Sequence, residues 1–443
     1  MKLFPQIRTR FSLPAALKRF CFVSMNVLLV KAVLFTSLTT GISTLHAEES
    51  LRLKLPGGAS SEVSWNDSVW QDATGSEKPF TPGSAAVFLS DAFANEVRVI
   101  VSGQVDVHSL SKEATINRLS LTGETPKAKL IVLDGLVESA IAEKTKWPEG
   151  VGMSIVCASE FPKGLRKTGK AQLGFNAQAA LITGTLEVTE GRVTDIGHRI
   201  KGEPLLLLAQ GASFCASGNG EVFFSGLEGD GVVSNHYTDP AMESTLSITG
   251  DGKHMFSGVL ADGRQSRLGF ALKGTGTQTL GGSEPNTHTG ATTLESGELV
   301  LAKTGAVAIS GPLRLQGGTL TLAAPAQIAE SGTIAINGKE VLLKIAAENV
   351  SEAFACAESN GGKLTIDFQS HPAVLLIRNA GKLAGVTIDT KSAGGKSRLF
   401  LDSDPRQIAE FKVNGKLAST IAVVTQPVTV DGFSGQGFEV PLH

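Results

Sequence analysis

From residue 50 onward the chain alternates. Short runs in which apolar and polar residues trade places recur beside a glycine: Leu119-Ser120-Leu121-Thr122-Gly123, Gly184-Thr185-Leu186-Glu187-Val188 and Leu246-Ser247-Ile248-Thr249-Gly250. A period of two puts one face of a strand in a core and the other in solvent. Glycine marks a turn or a close approach of backbones. Helical periodicity is nearly absent after residue 50, so the pattern predicts an all-β chain.

Between residues 290 and 345 the alternation becomes a repeat. Thr293-Leu294-Glu295-Ser296-Gly297-Glu298-Leu299-Val300-Leu301 is followed by Leu313-Arg314-Leu315-Gln316-Gly317-Gly318-Thr319-Leu320-Thr321-Leu322. Ile334-Ala335-Ile336-Asn337-Gly338 and Val341-Leu342-Leu343 form a third copy. Gly297, Gly318 and Gly338 recur at nearly even spacing. Their period, about 20, is short for a helical repeat and suits one coil of a β-solenoid, whose apolar side chains are buried only when coils stack. A longer echo, Phe224-Ser225-Gly226 and Phe256-Ser257-Gly258, precedes it.

The stretch Leu272-Lys273-Gly274-Thr275-Gly276-Thr277-Gln278-Thr279-Leu280-Gly281-Gly282 runs into Asn286-Thr287-His288-Thr289-Gly290-Ala291-Thr292-Thr293-Leu294 and on to Leu301. It closely resembles the autotransporter-associated β-strand repeat, a G-x-G-T-x-x-L strand, an N-T-x-T-G-x-T-T turn and an x-G-x-L-x-L strand. Trp65-Asn66-Asp67, Trp70 and Thr81 to Phe88 resemble the N-terminal portion of such proteins. The resemblance implies a right-handed parallel β-helix of short, Gly-punctuated coils, surface or secreted display, and no catalytic residues. Its structural positions here are Gly274, Gly276, Asn286, Thr289, Gly290, Gly297, Gly318 and Gly338. The C-terminal hundred residues depart from a full autotransporter. A translocating barrel needs many strands of about ten residues with aromatic girdles, and the chain has one Tyr, Tyr237.

The N-terminus adds a destination. Lys2, Arg8, Arg10, Lys18, Arg19 and Lys31 precede an apolar run, Ala32 to Leu38, and Leu45-His46-Ala47 stands before two glutamates. This reads as a secretory signal peptide cut after Ala47. Without residues 1–47, 34 basic residues face 42 acidic ones. No basic stripe is left for nucleic acid, and no later apolar run is long enough to span a bilayer as a helix. The resulting divisions are the leader 1–47, a strand-rich cap region 48–145, a solenoid 146–345 with the repeat at 272–301, and strand-rich coils with a cap at 346–443. Cys157, Cys215 and Cys356 remain, with no CxxC; three buried small residues are expected rather than a zinc or redox site, and one disulfide stays open.

Catalytic motifs are sparse, and neither HExxH nor a P-loop occurs. Gly432-Phe433-Ser434-Gly435-Gln436-Gly437 approaches a nucleophile elbow, but Gln436 stands where the motif needs glycine. Gly226 to Gly231 reads as a turn, not a dinucleotide loop. Asn235-His236-Tyr237-Thr238-Asp239-Pro240, with Glu228 and Asp230, offers metal-binding atom types, yet turn chemistry explains it better. His288 is expected to be a partly exposed turn residue. The strand acids Glu187, Glu295, Glu298 and Asp367 are scattered singly, as solvated outward positions. Trp65 and Trp70 are expected to cap the first coil rather than bind glycan; Trp147 and Tyr237 are the other candidate sugar platforms.

The sequence thus points to an exported, non-catalytic solenoid without cofactor or metal. Its expected role is structural or adhesin-like, at the cell surface or secreted, with the periplasm as the other compartment. Its partner would be a surface glycan or an envelope or host protein. The competing expectation is a carbohydrate-binding or carbohydrate-active β-helix, marked by acids, or acids beside aromatics, converging on one face. A third is a passenger whose translocator is encoded elsewhere.

Overall fold

The computed structural model describes residues 49–58, 60–141, 152–236, 242–337, 340–359, 361–430 and 433–442. The leader with Ala47, and also Trp147, Tyr237 to Pro240 and Gly338, lie outside these residues. The chain is nearly all strand, with 3% helix, and parallel sheets form a β-solenoid of about 13 turns.

The alternation read from the sequence becomes ladders of like residues. Leu280 pairs with Leu301, and Leu301 with Leu322, by the same step each time. Leu299 and Leu320 stack in the same way, and all five leucines are buried. Each coil alone would leave its inward leucines wet; stacking removes them from water at roughly 25 cal/mol per Å². Nearly the same step holds from Lys167 through Val188 and Leu208 to Gly229. Elsewhere coils lengthen, as where Phe256 pairs with Leu280 and Ile366 with Thr390. The extra residues are taken up in the loops between ladder strands.

One sheet runs the whole length, from Ser50–Lys54 to Lys412–Val413. Up to Arg267–Leu272 each regular coil adds two further strands and is three-sided. From Thr277–Leu280 onward each coil has two strands, and its third side is a polar corner. Parallel stacking already operates within 48–145, where Leu51 pairs with Ala86, Ala86 with Leu110 and Leu110 with Val137. It continues into 346–443 as far as Ile388 on Val413.

The first coil is closed by Trp65, Trp70, Phe80 and Phe88. The Trp65 and Trp70 rings lie 5.0 Å apart, and the Trp70 indole N–H donates to the Trp65 carbonyl at 3.3 Å. At the other end Val424–Val430 and Phe433–Glu439 form an antiparallel hairpin that joins Arg398–Leu401. Its Val428 and Val430 cover Ala353, Leu376 and Phe400, a ladder on the outer face of that sheet. Cys157, Cys215 and Cys356 are buried and unpaired, with thiols pushed up to about 11, 11 and 12 by burial.

Three lysines lie inside the stack. Lys112 Nζ donates to the carbonyls of Ile116 (2.6 Å) and Ala140 (2.7 Å), and Lys167 Nζ to those of Thr168, Gly169 and Glu190. Lys303 Nζ bridges Gly258 and Gly281. Each joins carbonyls that the coil corners would otherwise leave dry and unpaired. Burial pushes Lys112 and Lys167 down to about 8. The unfolded chain, with lysines near 10.5, therefore binds more protons than the folded one between pH 8 and 10.5, so their contribution rises with pH across that window. The wild type should gain stability over Lys112→Met/Lys167→Met as pH goes from about 7.5 to about 10, by up to about 3 kcal/mol per lysine. Denaturant titration at both pH values measures it; a falling difference would contradict the assignment.

Candidate functional site

The repeat turn serves to hold coils together. Asn286 is buried: its Oδ1 accepts from Leu260 N at 3.0 Å, and its Nδ2 donates to Ala308 O at 2.8 Å. One amide thus staples three successive coils. Thr289 donates through N and Oγ1 to the Asp262 carboxylate, which also accepts from Leu268 N at 2.8 Å. A Cβ on Gly274, Gly276, Gly290, Gly297 or Gly318 would come within 3 Å of backbone in the preceding coil. Gly276, Gly297 and Gly318 form a column in which each position meets the carbonyl of the glycine below. Asn286→Ala leaves a buried N–H and a buried carbonyl without partners and should cost about 3 kcal/mol. A chemical-denaturation midpoint unchanged from wild type would remove the staple role.

His288 requires a correction. It is fully buried, not a partly exposed turn residue. Its Nε2 lies 3.0 Å from Thr292 Oγ1, and burial pushes its pKa down to about 4. The variable position of the turn points into the wall between coils, which spacing alone does not reveal.

The same polar corner continues beyond the repeat. Gln327 Oε1 accepts from Lys303 N, and its Nε2 donates to Lys303 O and Pro325 O. The buried Glu352 carboxylate then accepts from Gln327 N (2.8 Å) and Ile328 N (2.9 Å). Asn235, in the polar cluster singled out in the sequence, plays a similar part by donating to Gly218 O and Arg267 O. Among the described residues no group of three or more His, Cys, Asp and Glu is placed to hold a metal. Glu228 instead meets His254 at 2.7 Å. Ser434 lies beside Thr429, Oγ to Oγ1 3.0 Å, across the terminal hairpin.

The outward acids are paired across coils. Glu187 meets Arg166 at 3.4 Å, Glu298 meets Lys344 at 3.3 Å and Asp367 meets Lys391 at 3.3 Å. Two groups go further and place a lysine between two acids. Lys273 lies between Glu221 (2.6 Å) and Glu295 (3.7 Å), with its ammonium 5.8 Å from the Phe223 ring. The Glu221 hydrogen bond and charge hold Lys273 above its ordinary pKa. Lys363 lies between Glu340 (2.9 Å) and Asp389 (3.2 Å), which raises the lysine and lowers Glu340. That second group lines an open groove of about 540 Å³ with Thr365, Thr390, Lys391, Asn414 and Gly415. Glu340, Lys363 and Asp389 come from three successive coils, so only the ladder register (Glu340 on Lys363, Thr365 on Asp389) brings them together.

A third feature is a break in the long sheet. Gly226–Gly229, expected from the sequence to be part of a turn, is a ladder strand paired with Leu205–Leu208; it shares one pair with Lys253–Phe256, Gly229 with Phe256. Gln278, buried in the next coil, reaches past them: its amide accepts from Leu227 N (3.1 Å) and donates to Leu227 O (2.9 Å). A side chain thereby replaces the missing backbone ladder, while the His254 ring occupies space that a Cβ on Gly226 or Gly252 would fill.

No protein-family model matches this sequence, and no curated protein matches it significantly.

Proposed function

We propose that the chain is an exported, non-catalytic β-solenoid displayed at the cell surface or secreted, where it serves as a structural and adhesin-like interaction module. On this reading residues 1–47 are a leader and 272–301 an autotransporter-associated β-strand repeat. The observation that carries it is how the repeat residues are used. Asn286 bonds to the backbone of both neighbouring coils, Thr289 ties its coil to the Asp262 carboxylate and the five glycines let backbones meet, while the outward acids just described meet a basic side chain. Broad, charge-balanced faces on a stiff stack suit recognition by contact better than bond chemistry, which needs a poised acid or base. The partner class is a surface glycan or an envelope or host protein.

Protease treatment of intact cells carrying the epitope-tagged protein, with a periplasmic control, tests the display. Loss of the tag while the control survives is the expected result. Protection of both would place the protein in the periplasm and end the adhesin reading.

The groove around Lys363 favours a second reading, a carbohydrate-binding or carbohydrate-active β-helix, because two carboxylates converge there with Thr365 and Asn414. Retention or cleavage of a polysaccharide from a broad panel, lost in Glu340→Gln and Asp389→Asn, would support it. Indifference to the whole panel would remove it.

A further inference from the structure

The N-terminal cap holds a cleft that the fold itself does not explain. It measures about 190 Å³ and is lined by Trp65, Asn66, Pro79, Phe80, Pro82, Gln104, Val105 and Asp106. The cleft forms where the segment after the Trp70–Gln71 and Glu77–Lys78 hairpin crosses Gln104–Val107, the terminal strand of the five-stranded sheet. Gly83 N donates to Asp106 O at 2.8 Å and fixes that crossing.

Its chemistry is divided. Phe80, Pro79, Pro82 and Val105 supply an apolar wall, and Phe80 is held edge-on to Trp65 with ring centroids 5.1 Å apart. Asn66, Gln104 and Asp106 supply amides and a carboxylate, with Gln104 Nε2 donating to Asp106 Oδ1 at 2.8 Å. Beneath them Trp65 is 1% exposed, and its indole N–H has no hydrogen-bond partner among the described residues. Trp70, its neighbour in the same aromatic cluster, has its N–H satisfied by Trp65 O.

We propose that this cleft is a saccharide-binding site that takes one pyranose ring, a chain end or a branch. A pyranose has an apolar face that stacks on aromatic and proline carbon and a rim of hydroxyls that both donate and accept. Asp106 accepts from such a rim, and the two amides do either. The small volume admits one ring and leaves the rest of a glycan outside. The site is separate from the Lys363 groove and does not depend on export, since a purified chain binds a sugar in any compartment.

Isothermal titration calorimetry of the purified full chain tests it. The probes are the methyl glycosides of glucose, galactose, mannose, rhamnose, N-acetylglucosamine and N-acetylgalactosamine at millimolar concentrations. At least one should bind with a stoichiometry of one. Phe80→Ala removes the aromatic wall; Asp106→Asn removes the charge. Each should weaken binding about tenfold, with the melting temperature of each variant confirming that the cap is folded. Glu358→Gln, at an exposed ion pair with Lys382 outside both the cleft and the Lys363 groove, should bind as the wild type does. No saturable heat from any glycoside, binding unchanged in both cap variants, or binding lost in Glu358→Gln would each overturn the proposal.

Discussion

Gly274→Val should be the most damaging single substitution in the repeat, costing about 3 kcal/mol or more and leaving little soluble protein. The reason is the spacing of the stack. Coils lie about 4.8 Å apart along the hydrogen-bond direction, and a Cβ at 274 would fall inside contact distance of Gly250 O and the Thr249 carbonyl carbon. Both obstacles are backbone, fixed in their own ladder, so neither can rotate away as a side chain would. Relief requires prising two coils apart, which breaks the ladder between Glu243–Ile248 and Arg267–Leu272 just before the turn. Gly381 is the matched control. It sits in the 3-10 turn Ala380–Leu383 with open space around its Cβ direction, and Gly381→Ala should change stability by no more than about 0.5 kcal/mol. Thermal melts of the two variants beside wild type decide the matter. Equal melting temperatures would mean that the glycine is there for reasons other than coil contact.

Ending the chain at Val423 should convert a dispersed protein into one that self-associates with rising concentration. The terminal hairpin does two things at once. Val428 and Val430 shield Ala353, Leu376 and Phe400, which project outward from successive strands. Phe433–Glu439 also pairs with Arg398–Leu401 through Phe400 on Glu439 and Leu401 on Phe438, and Arg398 meets Glu439 at 2.6 Å. Removing the hairpin bares an apolar ladder and an unpaired strand edge together, the two features that drive sheet-to-sheet association. The hairpin's own outer strand carries Pro427, which removes one N–H donor from its row and makes a poorer template for another chain. Light scattering coupled to size-exclusion chromatography, run across a concentration series, gives the measurement. Adding Phe400→Lys to the truncated chain should restore dispersion by charging the bared ladder. A truncated chain as monodisperse as the full one would show that the hairpin is an ornament of the end rather than its cover.

Both expectations separate what a repeat pattern conveys from what it omits. The strands, their inward faces and the regular step through Leu280, Leu301 and Leu322 follow from local alternation, because a period of two assigns faces without any knowledge of neighbours. The glycines of the repeat were legible for the same reason: only a side chain of zero size fits where backbones meet at each coil. Asn286 and Thr289 could be named as turn residues, since short polar side chains satisfy nearby backbone groups.

The candidate sites were hidden because they are made by register. Coil length varies, from the short step between Val188 and Leu208 to the longer one between Ile366 and Thr390, and a one-residue error turns every side chain to the other face. Nothing local to Glu340, Lys363 or Asp389 therefore indicates that the three meet. Corner carbonyls draw Lys112, Lys167 and Lys303 inside, and Gln278, a residue of the repeat strand, bridges a broken ladder. His288 was misplaced because a turn residue's exposure depends on the coil that packs above it. By itself the sequence determined the all-β solenoid and its inward ladders, since hydrophobic alternation and glycine spacing are local. The tertiary structure alone decided which charges meet, which polar groups are buried and where a cleft opens, since these depend on contacts between coils separated by a variable length of chain.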